Sequence, residues 1–175
     1  ISGSTFAGNK SVDATGGAIY NQGILVLNDV LFDSNQSKGN AGALRNNGGT
    51  VSLAGVTFAN NTTSSDAAFL NNKNVYITGS VIFDTDQKLN NTGTITIETE
   101  NFIKNDTLQA VKVISAKTSG WYSGDGSIVA TNGANYYFSD MVTQNGVDFR
   151  GLYVTNADEA VDFILGSSGT SVKNA

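Results

Sequence analysis

The stretch GGAIYNQGILVLNDVLFDSN, from Gly16 to Asn35, is one complete unit of a sequence repeat. Its segment GAIYN, which begins at Gly17, realigns 25 residues later on GALRN and again on AAFLN, which ends at Asn71. A second anchor, Phe-x-x-Asn, recurs at a spacing of 26 residues and then degenerates; its aromatic residues are Phe6, Phe32, Phe58, Phe83 and Phe102. Two anchors with nearly one period indicate a repeat architecture over the first hundred residues.

The interior of the unit favours strands over helix. Three short runs, Ala18–Asn21, Ile24–Leu27 and Val30–Phe32, are rich in β-branched residues and are separated by Gly, Asn, Asp and Ser. No run keeps apolar residues at helical spacing. Because one unit is too short to bury its own apolar face, the units are expected to stack on one another. The pattern predicts an all-β fold, a right-handed parallel β-helix with three short strands per coil of about 25 residues and a less regular C-terminal part.

Stacking gives the anchor residues physical roles. The five phenylalanines are predicted to form an internal ladder, and Ile19, Leu44 and Phe69 a second one. Asn9, Asn35 and Asn61 are predicted to bond along the stack, as amide ladders do. Asp86 stands where the next Asn is expected, and stacked carboxylates would repel, so we expect the amide ladder to stop there.

These motifs resemble the repeats of polymorphic outer membrane proteins, the chlamydial-type autotransporter passengers. The matching pairs are Gly16-Gly17-Ala18-Ile19 with Phe32 to Asn35, and Ala41-Gly42-Ala43-Leu44 with Phe58 to Asn61. The third copy, from Asp66 to Phe69, has lost both glycines, and the resemblance covers about residues 1–105. It implies a surface-exposed or secreted bacterial segment whose outer membrane anchor lies elsewhere in a longer protein. It also agrees with the start of the chain at Ile1, inside a repeat.

Composition narrows the possible functions of the 175-residue chain. It contains no Cys, His or Pro, which argues against disulfides, most structural zinc sites and the common nucleophile–base pairs. Ten basic against fifteen acidic residues give a net charge of −5, which disfavours nucleic acid as a partner. No apolar run is long enough to span a membrane, so we predict no membrane insertion by this segment.

The repeat fades after Asn105, which divides the chain into repeat coils over residues 1–105 and a second part over residues 106–175. The second part is either a set of degenerate coils continuous with the first or a small β cap or sandwich. Its predicted strands are Ala110–Ile114, Ser127–Ala130, Tyr136–Phe138, Val147–Phe149, Leu152–Thr155 and Val161–Leu165. One helical turn could open at Asn156.

Three groups of residues are candidate sites. Asp84 and Asp86, with Lys88 nearby, could serve a carbohydrate-active enzyme, but they also fit a degenerate turn. The segment Ser123–Gly126 with Asp140 could hold calcium, although its spacing matches no calcium loop. Four aromatic residues could form an exposed binding patch or pack the second part: Trp121, Tyr122, Tyr136 and Tyr137.

We therefore predict no catalytic residue, no metal and no cofactor, and assign no residues to ligand binding. The predicted function is that of a cell-surface adhesin or structural spacer, whose partner would be a surface protein or glycan of a host or neighbouring cell. The first alternative is a subunit of an extracellular filament that self-associates through open coil ends. The second is a carbohydrate-active β-helix enzyme, which would need several Asp with Lys or Arg on one face.

Overall fold

The fold is seen in a computed structural model, and the structure describes residues 1–12, 16–65, 67–104, 110–140 and 148–156. This part of the chain is all-β, with no α-helix and with two single 3-10 turns, Thr99–Asn101 and Thr131–Gly133. The strands are β1 (Ser2–Ala7), β2 (Lys10–Ser11), β3 (Ile19–Asn21), β4 (Ile24–Asp33), β5 (Gln36–Ser37), β6 (Leu44–Asn46), β7 (Thr50–Ala54), β8 (Val56–Ala59), β9 (Thr62–Thr63), β10 (Phe69–Asn71), β11 (Asn74–Ile77), β12 (Val81–Phe83), β13 (Leu89–Asn91), β14 (Thr94–Ile97), β15 (Val111–Ala116), β16 (Tyr122–Ser123), β17 (Ser127–Ala130), β18 (Asn135–Ser139) and β19 (Gly151–Thr155).

The strands form three sheets in which most neighbours are parallel. The largest has eleven strands in the order β17-β14-β11-β7-β4-β8-β12-β15-β19-β18, with β1 also paired to β4, and it curls into a nearly closed, barrel-like sheet. A five-stranded sheet has the order β16-β13-β10-β6-β3, and a three-stranded sheet the order β2-β5-β9. Equivalent strands of successive repeat units are therefore neighbours, and the largest sheet contains two such rows, β14-β11-β7-β4 and β4-β8-β12.

The largest sheet curls because β4 belongs to two rows of strands. Its first half pairs with β7 and its second half with β8. Asp29 lies between the halves at φ 53°, and Gly55 takes φ 64° at the matching position between β7 and β8. A left-handed residue turns the chain sharply at this point. The predicted strands Ile24–Leu27 and Val30–Phe32 are thus two halves of one bent strand, and the two-residue strand β5 was not predicted.

Strand register confirms the repeat alignment. Ile19 pairs with Leu44, Leu44 with Phe69, and Phe69 with Leu89. In a second row Phe6 pairs with Phe32, Phe32 with Phe58, and Phe58 with Phe83. The next unit is shorter, yet its strands β13 and β14 still pair parallel with β10 and β11.

The aromatic ladder is confirmed over four rungs and is wrong at the fifth. The rings of Phe6, Phe32, Phe58 and Phe83 stack with centroids 5.2, 5.1 and 4.9 Å apart. Phe102 does not follow, because Phe83 pairs with Ala116 of β15 and its ring meets Trp121 at 6.1 Å. The chain forms a 3-10 turn before Phe102, and β15 takes the place beside β12, so the Phe102 motif does not close the unit.

The glycines of the GGA motif allow successive units to approach closely. A Cβ on Gly17 would lie 1.9 Å from the carbonyl oxygen of Gly42, its counterpart in the next unit. The Gly17 amide donates to the carbonyl of Ala41 at 3.1 Å, so backbone meets backbone here. Ala43 and Ala68, the next residues of their copies, are fully buried, which explains why the motif continues with a small residue.

The second part of the chain begins as a further parallel layer and then changes direction. Strands β15, β16 and β17 pair parallel with β12, β13 and β14, as a continuing coil would. Strand β19 then lies antiparallel against β15, and β18 antiparallel against β19. Four of the predicted strands are confirmed within one or two residues, whereas the prediction of a strand is wrong at Asp148 and Phe149. Val147, residues 161–165 and most of the predicted helical turn lie outside the described residues. The boundary at residue 105 stays a prediction.

Candidate functional site

A ladder of amide side chains runs along the stack and defines one wall of the candidate site. Asn9 donates from Nδ2 to Oδ1 of Asn35 at 2.8 Å, and Asn35 donates in the same way to Asn61 at 2.9 Å. Each Oδ1 also accepts the backbone N–H of the preceding rung, at 3.0 Å in both cases. The predicted ladder of these three asparagines is therefore confirmed.

The prediction that Asp86 ends this ladder is wrong, because Gln87 occupies the next rung. The backbone N–H and Nδ2 of Asn61 both donate to Oε1 of Gln87 at 3.0 Å. Asp86 is instead equivalent to the residue that comes just before each rung. These residues all have a left-handed backbone: Gly8 (φ 63°), Ser34 (φ 57°), Asn60 (φ 55°) and Asp86 (φ 61°). The motif in this unit is one residue longer than Phe-x-x-Asn. Phe83 follows Phe58 after 25 positions instead of 26, so Gln87 still lies 26 positions after Asn61.

Glutamine at this rung compensates for missing backbone. In earlier units a backbone N–H of the next strand caps the carbonyl of each rung, as Gln36 does for Asn9 at 2.8 Å and Thr62 for Asn35 at 2.9 Å. For Asn61 the donor is Nε2 of Gln87, at 3.2 Å. The extra methylene of Gln lets its side-chain amide replace a peptide group that this unit lacks.

The missing segment leaves a hollow in the wall of the stack. Eight residues lie between Asn35 and Leu44 and seven between Asn61 and Phe69, whereas only one, Lys88, lies between Gln87 and Leu89. The three-stranded sheet accordingly ends at β9. The resulting polar hollow has a volume of about 520 Å³ and is lined by Asn60, Asn61, Thr62, Thr63, Thr85, Asp86, Gln87, Lys88 and Thr118.

The polar hollow brings two of the three candidate catalytic residues together. Asp86 and Lys88 line it, while Asp84 lies outside its lining and is paired with Lys117, Oδ1 to Nζ, at 2.8 Å. The hydrogen bond from Lys117 and the backbone N–H of Thr85 lower the pKa of Asp84. A general acid requires a raised carboxyl pKa, so this environment opposes that role for Asp84.

A second hollow has aromatic walls. It has a volume of about 410 Å³ and is lined by Tyr122, Ser123, Gly124, Gly126, Ser127, Ile128, Tyr136 and Phe138. Trp121 is fully buried and stacks on Phe138 at 5.1 Å, and Tyr137 is also buried. The aromatic residues therefore pack the second part of the chain, and the alternative of an exposed aromatic patch is wrong.

Asp140, one of the candidate calcium ligands, contacts protein groups instead. Asp140 accepts hydrogen bonds from the hydroxyl of Ser119 at 3.0 Å and the backbone N–H of Gly120 at 2.9 Å, and its carboxylate lies 3.7 Å from Nε of Arg150. Gly124 and Gly126 face Asn91, not Asp140. Within the described ranges, no group of three His, Cys, Asp or Glu side chains could hold a metal ion.

Sequence reasoning missed a second amide ladder on the neighbouring row. Its side chains bond from Nδ2 to Oδ1 at 2.9, 2.8 and 2.8 Å through Asn21, Asn46, Asn71 and Asn91, and Asn91 also lies 3.2 Å from the hydroxyl of Tyr122. The signal was present, because each of these asparagines ends the same short strand of its unit. Two ladders on adjacent rows hold successive units in one register.

Comparison with protein-family models, with curated proteins and with solved structures found no match to this chain. The resemblance to polymorphic outer membrane proteins, carried by the GGA[ILV] and Phe-x-x-Asn motifs, stays a prediction. No helix among the described residues has the length and apolar character needed to cross a membrane.

Proposed function

We propose that this chain is a right-handed parallel β-helix that serves as a surface-exposed bacterial passenger segment, acting as an adhesin or structural spacer. The observation that carries the proposal is the in-register parallel pairing of equivalent residues, from Phe6 through Phe83 and from Ile19 through Leu89. Each added unit lengthens such a stack by about 4.8 Å, the ordinary strand spacing. The right hand follows from the general handedness of parallel crossover connections.

Rigidity supports a projecting role. The aromatic ladder and the two amide ladders bond every unit to its neighbours through buried groups, so bending would break several contacts at once. A net charge of −5 and a composition rich in Asn, Thr and Ser suit an extracellular surface and a protein or glycan partner. We propose a role without catalysis, cofactor or nucleic acid.

Binding of the labelled full chain to cells tests the adhesin role. We expect saturable binding of the folded chain to host-type epithelial cells or to neighbouring bacterial cells, measured by flow cytometry, and no binding after heat unfolding. Competition with soluble glycans separates a glycan partner from a protein partner. Linear, non-saturating uptake on every surface would reject the adhesin and leave the spacer role.

Self-assembly into a filament is the second candidate. Its supporting observation is that β2 and β3 end their sheets on the same side of the stack, where β1 pairs with β4 alone. Open strand edges of this kind can accept another chain. On the opposite side the antiparallel strand β19 covers β15 and interrupts parallel stacking of that row. Negative-stain electron microscopy over a concentration series decides between long threads, which require end-to-end joining, and single particles.

A further inference from the structure

We infer that the polar hollow is a binding site for an extended peptide segment, which adds to β9 as the missing fourth strand of the three-stranded sheet. The hollow arises where the chain has six or seven fewer residues than in the two preceding units. In those two units the corresponding segment carries the strands β5 and β9, so the residues missing here are those that would form the next strand. This goes beyond the proposed role, because the site does not require the protein to be an adhesin.

The backbone register identifies the atoms that face the ligand. In a parallel ladder, alternate residues direct their N–H and C=O groups to opposite neighbours. The N–H of Thr62 donates to the carbonyl of Asn35 in the preceding unit. The backbone N–H and C=O groups of Asn61 and Thr63 therefore point away from β5 and toward the hollow. The side chain of Gln87 already hydrogen-bonds the backbone N–H and C=O of Asn61, so an added strand would bond to Thr63.

An earlier unit gives the geometry of that contact. Ser11 is equivalent to Ser37, and Ser37 to Thr63, by strand register. The carbonyl of Ser11 accepts the N–H of Lys38 from the following unit at 3.2 Å. A peptide in the hollow would place its own N–H against the carbonyl of Thr63 in the same way, and Lys88 and Thr118 also line the hollow.

The lining selects the chemistry of the peptide. Hydroxyl and amide groups dominate it, and one carboxylate and one ammonium group supply both signs of charge. Among the described residues no aromatic or large aliphatic side chain lines the hollow, so they offer no anchor for a bulky apolar residue. The segment Gln36–Ala41, of sequence QSKGNA, matches these requirements, since it fills the corresponding place in its own unit.

The test is an NMR titration of the isotope-labelled 175-residue chain with the capped peptide QSKGNA at millimolar concentrations. We expect shifts at the amides of Thr63, Thr118 and the Gln87 side chain. The matched control peptide carries Lys38→Pro, which removes the N–H that would reach Thr63, and we expect it to bind about fivefold more weakly.

A variant with residues 36–41 duplicated between Gln87 and Lys88 fills the hollow with its own chain. We expect the peptide QSKGNA to cause no shifts in this variant. Circular dichroism verifies its fold, and the two peptides on the unaltered chain decide the matter if the variant does not fold. Absent shifts, shifts that map to another surface, or equal binding of the proline peptide would each overturn the inference.

Discussion

Replacing Asn61 by Ala should destabilise the protein by about 3 kcal/mol, because the side chain lies within a buried ladder. Oδ1 of Asn61 is the acceptor for the backbone N–H of Asn35, at 3.0 Å, and for its Nδ2, at 2.9 Å. Nδ2 of Asn61 donates to Gln87 and to the carbonyl of Phe32, both at 3.0 Å. Asn61 is 6% exposed and Asn35 is fully buried, so water cannot readily replace these bonds.

The magnitude follows from the groups that the substitution leaves behind. The N–H of Asn35 loses its acceptor, and an orphaned buried donor costs about 1–3 kcal/mol. The lost side-chain hydrogen bonds contribute about 0.5–1.5 kcal/mol each, and relaxation of the neighbouring units recovers part of the total. For a chain of this size, about 3 kcal/mol corresponds to a fall of roughly 6–12 °C in Tm.

Urea denaturation followed by circular dichroism, with calorimetry as a second probe, measures the change. Asn74→Ala is the matched control, because Asn74 lies on strand β11 with its side chain exposed, and we expect it to change stability by less than about 0.5 kcal/mol. If Asn61→Ala and Asn74→Ala unfold at the same urea concentration, the amide ladder does not stabilise the stack.

Three further predictions use the same denaturation assays. Phe58→Ala should lower the free energy of unfolding by about 3–5 kcal/mol, because the Phe58 ring is fully buried between two others. Phe102 is half-buried and outside the ladder, so Phe102→Ala should lower it by less than about 2 kcal/mol. Equal losses would contradict the ladder. Gly17→Ala should destabilise the protein by about 2 kcal/mol or more, because the new Cβ would clash with the backbone of the next unit. Gly23→Ala adds its Cβ to open space and should leave the stability nearly unchanged. If the protein tolerates both substitutions, the units do not approach each other so closely. Burial, with a smaller effect of Asp148, raises the pKa of Tyr153 to about 12. Its neutral form is thus favoured by folding, so stability should be complete below about pH 10 and fall as the pH rises toward 12, and Tyr153→Phe should reduce that fall; an unchanged alkaline profile would contradict it.

Strand pairing in the first part could be predicted because a repeat fixes register. Equivalent positions of a stacked repeat become neighbours, so a spacing of 25 or 26 residues in the sequence predicts which residues pair. The prediction was wrong where the period changed. Phe102 matches the motif, but an intervening 3-10 turn places Val111–Ala116 in that row.

The sequence predicts the charged residues of the candidate site but not the hollow that they line. Asp86 and Lys88 are charged residues close together in the sequence, and both line the polar hollow. The hollow itself comes from residues that are absent, and the significance of Gln87 depends on which backbone carbonyl its longer side chain reaches. A sequence motif does not indicate that a segment is missing. The missing segment is recognised only when the units are aligned in three dimensions.

The sequence by itself determined the all-β class, the repeat, the stacked phenylalanines and the first amide ladder, because these depend on local spacing and side-chain type. Only the tertiary structure decided where parallel stacking gives way to antiparallel strands, since β15 to β19 carry no repeat that could set their register. It also decided that Trp121 continues the aromatic core and that the wall opens beside β9. Contacts between residues that differ in sequence context arise from the packing of the whole chain, and no short motif encodes them.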